Sequence, residues 1–165
     1  MNDQSTAVLQ PWTEVQYGEL SALLSYLMFL KQLHQTHHWV VSKSDFYSNH
    51  LLFQRIYEGI DPEIDLVAEK AIGLGSVANI NSNLHAEQIA NLFDMKSQLF
   101  GSDSECPIVD CSLYFESQFQ VLTSVIFESL KSKSQLTRGL DNLIAGLEDA
   151  HETWIYLLKQ AQTRR

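Results

Sequence analysis

DFYSNHLLFQRIYEGIDPEIDLVAEKAIGL, residues 45–74, is the stretch that decides the fold of this chain. Phe53, Ile56, Ile60, Ile64, Val67, Ala71 and Leu74 recur at helical spacing and form one apolar stripe. His50, Gln54, Glu58, Asp61, Asp65 and Glu69 follow one another at three or four residues and form a second, polar stripe. Just upstream stands His38, followed by Trp39. Two imidazoles and two carboxylates (His38, His50, Asp65 and Glu69) are a mixed nitrogen and oxygen set, suited to iron or a similar divalent first-row metal rather than to calcium or magnesium. At 1.5 Å rise per residue, His50 and Glu69 stand about 28 Å apart along one helix. No single metal ion bridges that span within one subunit. For all four to ligate one centre, the histidines must come from one chain and the carboxylates from another. An antiparallel, two-fold pairing of the helix would form two such centres at once.

Helical periodicity continues on both sides. Thr13 and Gln16 form a capping-box pattern after Pro11 and Trp12. From there Leu20, Leu23, Leu24, Leu27, Leu30 and His34 keep a helical period to about Val41. Residues 42–45 make a short link in which Ser44 or Asp45 can cap the next helix, and Gly73 and Gly75 stop it. Pro62 removes a hydrogen bond and crowds the carbonyl of Glu58, and Gly59 loosens the same turn. Because the apolar stripe stays in phase from Ile56 through Val67, one bent helix is expected rather than two. A shorter helix is predicted over residues 82–100, with Leu84, Ile89, Leu92 and Leu99 inward and Gly101 ending it. A fourth is predicted over about 110–131 (Phe115, Phe119, Leu122, Ile126 and Leu130 inward). A fifth runs over about 135–162, with Leu136, Leu140, Leu143, Leu147, Trp154 and Leu158 on one face. The expectation is an all-α chain: a four-helix bundle with a short extra helix between the second and third long helices.

At 165 residues the chain fits a single domain with a sizeable core, with a flexible tail at 1–12 and a short C-terminal tail at 162–165. An apolar fraction of 45% argues against disorder. A formal net charge of −9 repels phosphate and attracts cations; Lys159, Arg164 and Arg165 are the only basic cluster at an end, so DNA binding is not expected. The N-terminus lacks the basic and apolar regions of a signal peptide, and no apolar run reaches membrane-spanning length. Cys106 and Cys111 make neither a disulfide framework nor a zinc ribbon, and read as core or surface thiols in a reducing cytoplasm.

The residues His38, Trp39, Phe46, His50, Tyr57, Ile64, Asp65, Ala68, Glu69, Lys70, Leu74 and Gly75, at their spacing, closely resemble the Dps mini-ferritins. The resemblance is specific over about residues 34–75 and rests elsewhere on length and helix order. It implies a ferritin-like bundle and a hollow homododecamer. It also implies a ferroxidase centre between two subunits, with His38 and His50 from one and Asp65 and Glu69 from the other. Ferrous iron would be oxidised there, preferentially by hydrogen peroxide, and stored as ferric mineral. Trp39 matches the family's tryptophan beside the centre. The chain departs from the family pattern at Gln54, where an aspartate is usual, and at Val40 and Lys43, where the asparagine and glycine of HWNxxG are lost. Gln54 brings no charge to the second metal position. The alternative is therefore a helical cage or dimer that binds a metal or a partner without turnover.

Two further features invite weaker readings. Glu148 and His151 have the ExxH spacing of the larger di-iron proteins, but Glu69 is followed by Ile72 where the second motif would need histidine. In the resembled family, acids of the Asp141, Glu148 and Asp149 region line iron-entry pores, although Lys133 and Arg138 lie nearby. His34 and His37 read as structural or solvent-facing, and His85 with Glu87 as unremarkable.

Overall fold

The computed structural model describes residues 18–42 and 46–162. Five α-helices follow one another: α1 (Gly18–Val40), α2 (Phe46–Leu74), α3 (Ser82–Phe100), α4 (Ile108–Ser132) and α5 (Arg138–Gln162), with one 3₁₀ turn at Val77–Asn79. The predicted capping box, the N-terminal tail, the link caps at Ser44 and Asp45, and Arg164 and Arg165 lie outside the described residues.

Contacts between named residues give the topology. His38 meets His50 while Lys31 meets Asp61, so α1 and α2 run antiparallel. His34 meets Glu116 and Glu19 meets Ser129, so α1 and α4 are antiparallel too. The same holds for α4 and α5 (Glu116 with His151, Gln120 with Glu148) and for α2 and α5 (Glu63 with His151, Gly59 with Trp154). Around the bundle the order is therefore α1, α2, α5, α4. Helices α2 and α4 lie diagonally and point the same way, which requires a connection running the length of the bundle. Helix α3 supplies it, climbing parallel to α1: Ser25 meets His85 and Phe29 meets Phe93.

The central helix is α1. Leu20, Leu23, Leu24, Leu27, Leu30 and Leu33 are all fully buried. Burying such a side chain contributes about 1.5–3 kcal/mol. Phe29 and Phe115 meet edge to face at 4.9 Å, and the Tyr26 hydroxyl donates to the Phe115 carbonyl. Helix α2 is continuous across Pro62, as the in-phase stripe predicts, and its Phe53, Ile56, Ile60, Val67 and Ala71 are buried.

Helix α3 departs from the expected pattern. Leu84 and Leu99 are exposed; His85 and Lys96 occupy the buried positions instead. The His85 ring accepts from the Asn81 N–H through Nε2, so its Nδ1 donates to the Ser25 hydroxyl, which itself donates to Gln88. Burial lowers the pKa of His85 and keeps it in that neutral form. Lys96 Nζ donates to the Gly101 carbonyl and to Asp103, and so fastens the loop after α3.

Gly59 has a packing role rather than the loosening one the sequence implied. A Cβ there would lie 2.7 Å from Cζ2 of Trp154, in the wall between α2 and α5. Alanine improves helix propensity by about 0.5–1 kcal/mol, but overpacking costs about 1–3 kcal/mol. The indole is rigid, its face covered by the Arg55 guanidinium at 5.7 Å, so packing wins. Gly59→Ala is expected to lower the urea midpoint, by roughly 1–2 kcal/mol of stability; an unchanged or raised midpoint would show that the indole moves aside freely.

Candidate functional site

The antiparallel α1–α2 pair sets His38 beside His50. Each Nδ1 lies within hydrogen-bond range of the other residue's backbone carbonyl, at 2.9 and 3.0 Å. A carbonyl only accepts, so both Nδ1 atoms carry hydrogen, and in the neutral ring it is Nε2 that keeps the lone pair. That is the tautomer a metal ligand needs, held by the backbone partner that orients the ring. The two imidazoles stack with centroids 3.7 Å apart, Phe46 stacks on His50 at 5.0 Å, and Tyr57 meets His38 edge-on at 5.4 Å.

Asp65 and Glu69 lie beyond Pro62 on the same helix, both exposed and one turn apart. The structure brings the two histidines together and leaves the two carboxylates at the far end, as the helical rise requires. Gln54, between them, donates its amide N–H to Glu58 at 2.8 Å. Exposed apolar side chains accompany both halves. Trp39 (66% exposed), Phe46, Tyr47 (73%) and Leu51 surround the histidine end; Leu66 and Ile72 flank the carboxylates. Exposed apolar side chains thus lie beside both the imidazole pair and the carboxylate pair.

Inside the bundle lies a chain that sequence reasoning did not assemble. His34 on α1 donates through Nε2 to Glu116 of α4 at 2.6 Å; the other Glu116 oxygen meets Nδ1 of His151 on α5; His151 Nε2 meets Glu63 of α2 at 3.0 Å. His34, Glu116 and His151 are fully buried. Burial pushes the Glu116 carboxyl up, but the charge of His151 and the hydrogen bonds from His151 and His34 outweigh it and hold the pKa at about 2. Burial pulls His151 down, but the charge of Glu116 and hydrogen bonds to Glu116 and Glu63 push it to about 9. The pair is a buried imidazolium–carboxylate, with both ring N–H groups donating.

His34 and His37 are thus enclosed rather than solvent-facing. For His34 the signal was present, since it continues the period of Leu20 to Leu30. Glu63 and Glu116 fall at helical spacing from Ile60 and Val67 and from Ser112 and Phe119, where an acid amid buried neighbours marks a core partner. The ExxH spacing has another basis than metal binding. His151 turns into the core, whereas Glu148 is half-buried and lines an outer groove with Glu128 and Asp141. Among the described residues, three potential ligand atoms come within 4.8 Å of one another only at His37, Cys106 and Cys111.

No family model matches the sequence, and no curated protein matches it by sequence. Solved structures do. The crystal structure of a DPS protein from Vibrio cholerae O1, described as a member of a broad superfamily of ferritin-like diiron-carboxylate proteins, superposes with a TM-score of 0.70 at 15% identity, over 89% of this chain and 88% of that one. DpsC from Streptomyces coelicolor superposes with a TM-score of 0.69 at 17% identity, over 88% of this chain and 83% of its own. The chain therefore has the all-α, ferritin-like fold of the Dps proteins. No helix among the described residues is long and apolar enough to cross a membrane.

Proposed function

We propose that the chain is a Dps-like mini-ferritin that binds ferrous iron between subunits, oxidises it with hydrogen peroxide and stores ferric mineral in a hollow homododecamer in the cytoplasm. One observation carries the reading. A histidine pair with both Nε2 atoms free to ligate, ringed by exposed aromatics, and a carboxylate pair flanked by exposed Leu66 and Ile72 stand at opposite ends of one helix. Two such helices paired antiparallel about a two-fold axis would cover both apolar patches and join His38 and His50 of one subunit to Asp65 and Glu69 of the other, twice.

In this reading iron is the substrate. Neutral imidazoles give affinity without adding charge, and the carboxylates offset the charge gained on going from ferrous to ferric. Peroxide takes one electron from each of two ferrous ions and, with two protons, leaves as two waters. Oxidation at a fixed site keeps the two reactants from meeting in bulk solution. The acidic groove of Glu128, Asp141 and Glu148 would draw cations toward the shell. Adding ferrous iron and then peroxide should give ferric absorbance faster than a protein-free control, on a particle whose native mass is twelve subunits. A monomer with no rate advantage would end the proposal.

Gln54 supports a second reading, a cage or dimer that holds metal without turnover. Its amide is tied to Glu58 and supplies no negative charge beside His50. Gln54→Asp places a carboxylate on the ligand face one turn from His50 and is expected to strengthen iron binding or add a second step to the calorimetric isotherm. An unchanged isotherm would mean that position 54 faces away from the metal.

A further inference from the structure

His37 stands next to His38 in sequence but points the other way, into the bundle. There a ring nitrogen of His37 and the sulfurs of Cys106 and Cys111 lie within 4.8 Å of one another. Cys106 comes from the loop after α3, half-buried, and Cys111 from the first turn of α4, buried; neither is in a disulfide. We propose that these three residues form a binding site for a thiophilic metal ion of the zinc class, separate from the interfacial iron site.

Three features carry it. First, the His37 ring is already prepared as a ligand. Its Nδ1 lies 2.7 Å from the Ser112 hydroxyl, while Nε2, fully enclosed, has no hydrogen-bond partner. A buried ring nitrogen without a partner is costly in an ordinary core, and a metal would satisfy it. With Nδ1–H donating to Ser112, the Nε2 lone pair faces outward from the ring, the arrangement that supporting partners impose on metal-binding histidines.

Second, the dimensions fit. With Zn–S near 2.3 Å and Zn–N near 2.0–2.1 Å, the sulfurs and nitrogen around a tetrahedral ion lie about 3.5–3.8 Å apart, so closure from within 4.8 Å asks each pair to contract by at most about 1.3 Å. The ligand set is the third argument. Two thiolates and one imidazole select zinc or another soft ion over the hard oxygen-seeking cations, and two thiolates neutralise a divalent charge in a buried place. Lys96 fastens the loop that presents Cys106, donating to the Gly101 carbonyl and to Asp103. Three protein ligands leave a fourth position open.

Cobalt(II) tests the proposal, because thiolate ligation gives an intense near-ultraviolet charge-transfer band that histidine and carboxylate ligands do not. The full chain, reduced and kept free of oxygen, should develop this band with one equivalent of cobalt per subunit and lose it on addition of zinc. Cys106→Ala, at a half-buried loop position, and Cys111→Ser should abolish the band while keeping the helical circular dichroism. His50→Ala and Asp65→Ala should leave it intact, so failure here and failure of the iron proposal are told apart. A reduced wild-type chain with no band, or a band that survives Cys106→Ala and Cys111→Ser together, would overturn the site.

Discussion

Oligomers of His50→Ala subunits are expected to lose iron oxidation, as are oligomers of Asp65→Ala subunits, and a mixture of the two is expected to recover part of it. Both positions are off the buried core, half-buried and exposed respectively, so neither change should unfold the subunit. The recovery follows from how the site would be divided. If one chain supplies both histidines and its partner both carboxylates, a site is intact whenever an Asp65→Ala chain gives the histidines and a His50→Ala chain gives the acids. Random equal mixing makes that about a quarter of all sites across a two-fold interface. A site built within one chain predicts no recovery at all, because every chain then carries one lesion. The measurement is the peroxide-dependent ferric absorbance after subunits have been dissociated and reassembled together. Exchange demonstrated by mass, with activity still absent, would sink the shared site.

The interfacial reading depends on a pattern the sequence displays openly. Polar residues on an outer helix face obey the helical period without interference, so the candidates His50, Asp65 and Glu69 could be placed along α2 from spacing alone. An element boundary was equally plain where its end signal is strong: Gly101 ends α3 as expected, adopting φ 77°, while the Asn81 cap that accepts from the Leu84 N–H emerges from the structure. Buried polar groups were less legible, for a physical reason. Periodicity detects apolar residues, and a helix that buries an acid or an imidazole interrupts its own stripe at that point. Hence Leu84 and Leu99 were expected inward on α3, where His85 and Lys96 are buried instead. Hence also Cys106 and Cys111 read as plain thiols: their meeting with His37 depends on how α1 packs against the start of α4, which no local spacing encodes. Gly59 is a similar case, since its neighbour Trp154 is on another helix.

Replacing Glu116 by alanine is expected to produce the largest loss of stability in this chain. The carboxylate is fully buried and joins His34 to His151. Removing one partner of a buried pair costs about 3–5 kcal/mol, because the remaining charge stays in a poor solvent. Against a typical domain stability of about 5–15 kcal/mol, that is about a fifth or more of the whole. Glu116→Gln keeps the volume and is expected to cost less, which makes it the better probe of pH. The direction follows from the two shifts. Glu116 is lowered to about 2, so its contribution is complete above the ordinary carboxylate value of 4.5 and fades as pH falls toward 2. His151 is raised to about 9, so its contribution is complete below its ordinary value of 6.5 and is lost as pH rises toward 9. The stability gap between wild type and Glu116→Gln should therefore be widest between pH 4.5 and 6.5 and narrow steadily up to pH 9. Urea titrations at fixed protein concentration read this directly, because any self-association would add a stabilisation that depends on concentration. A gap that stays flat from pH 5 to 9 would mean that His151 carries no charge in the core, and that the chain from His34 to Glu63 is held by neutral hydrogen bonds alone.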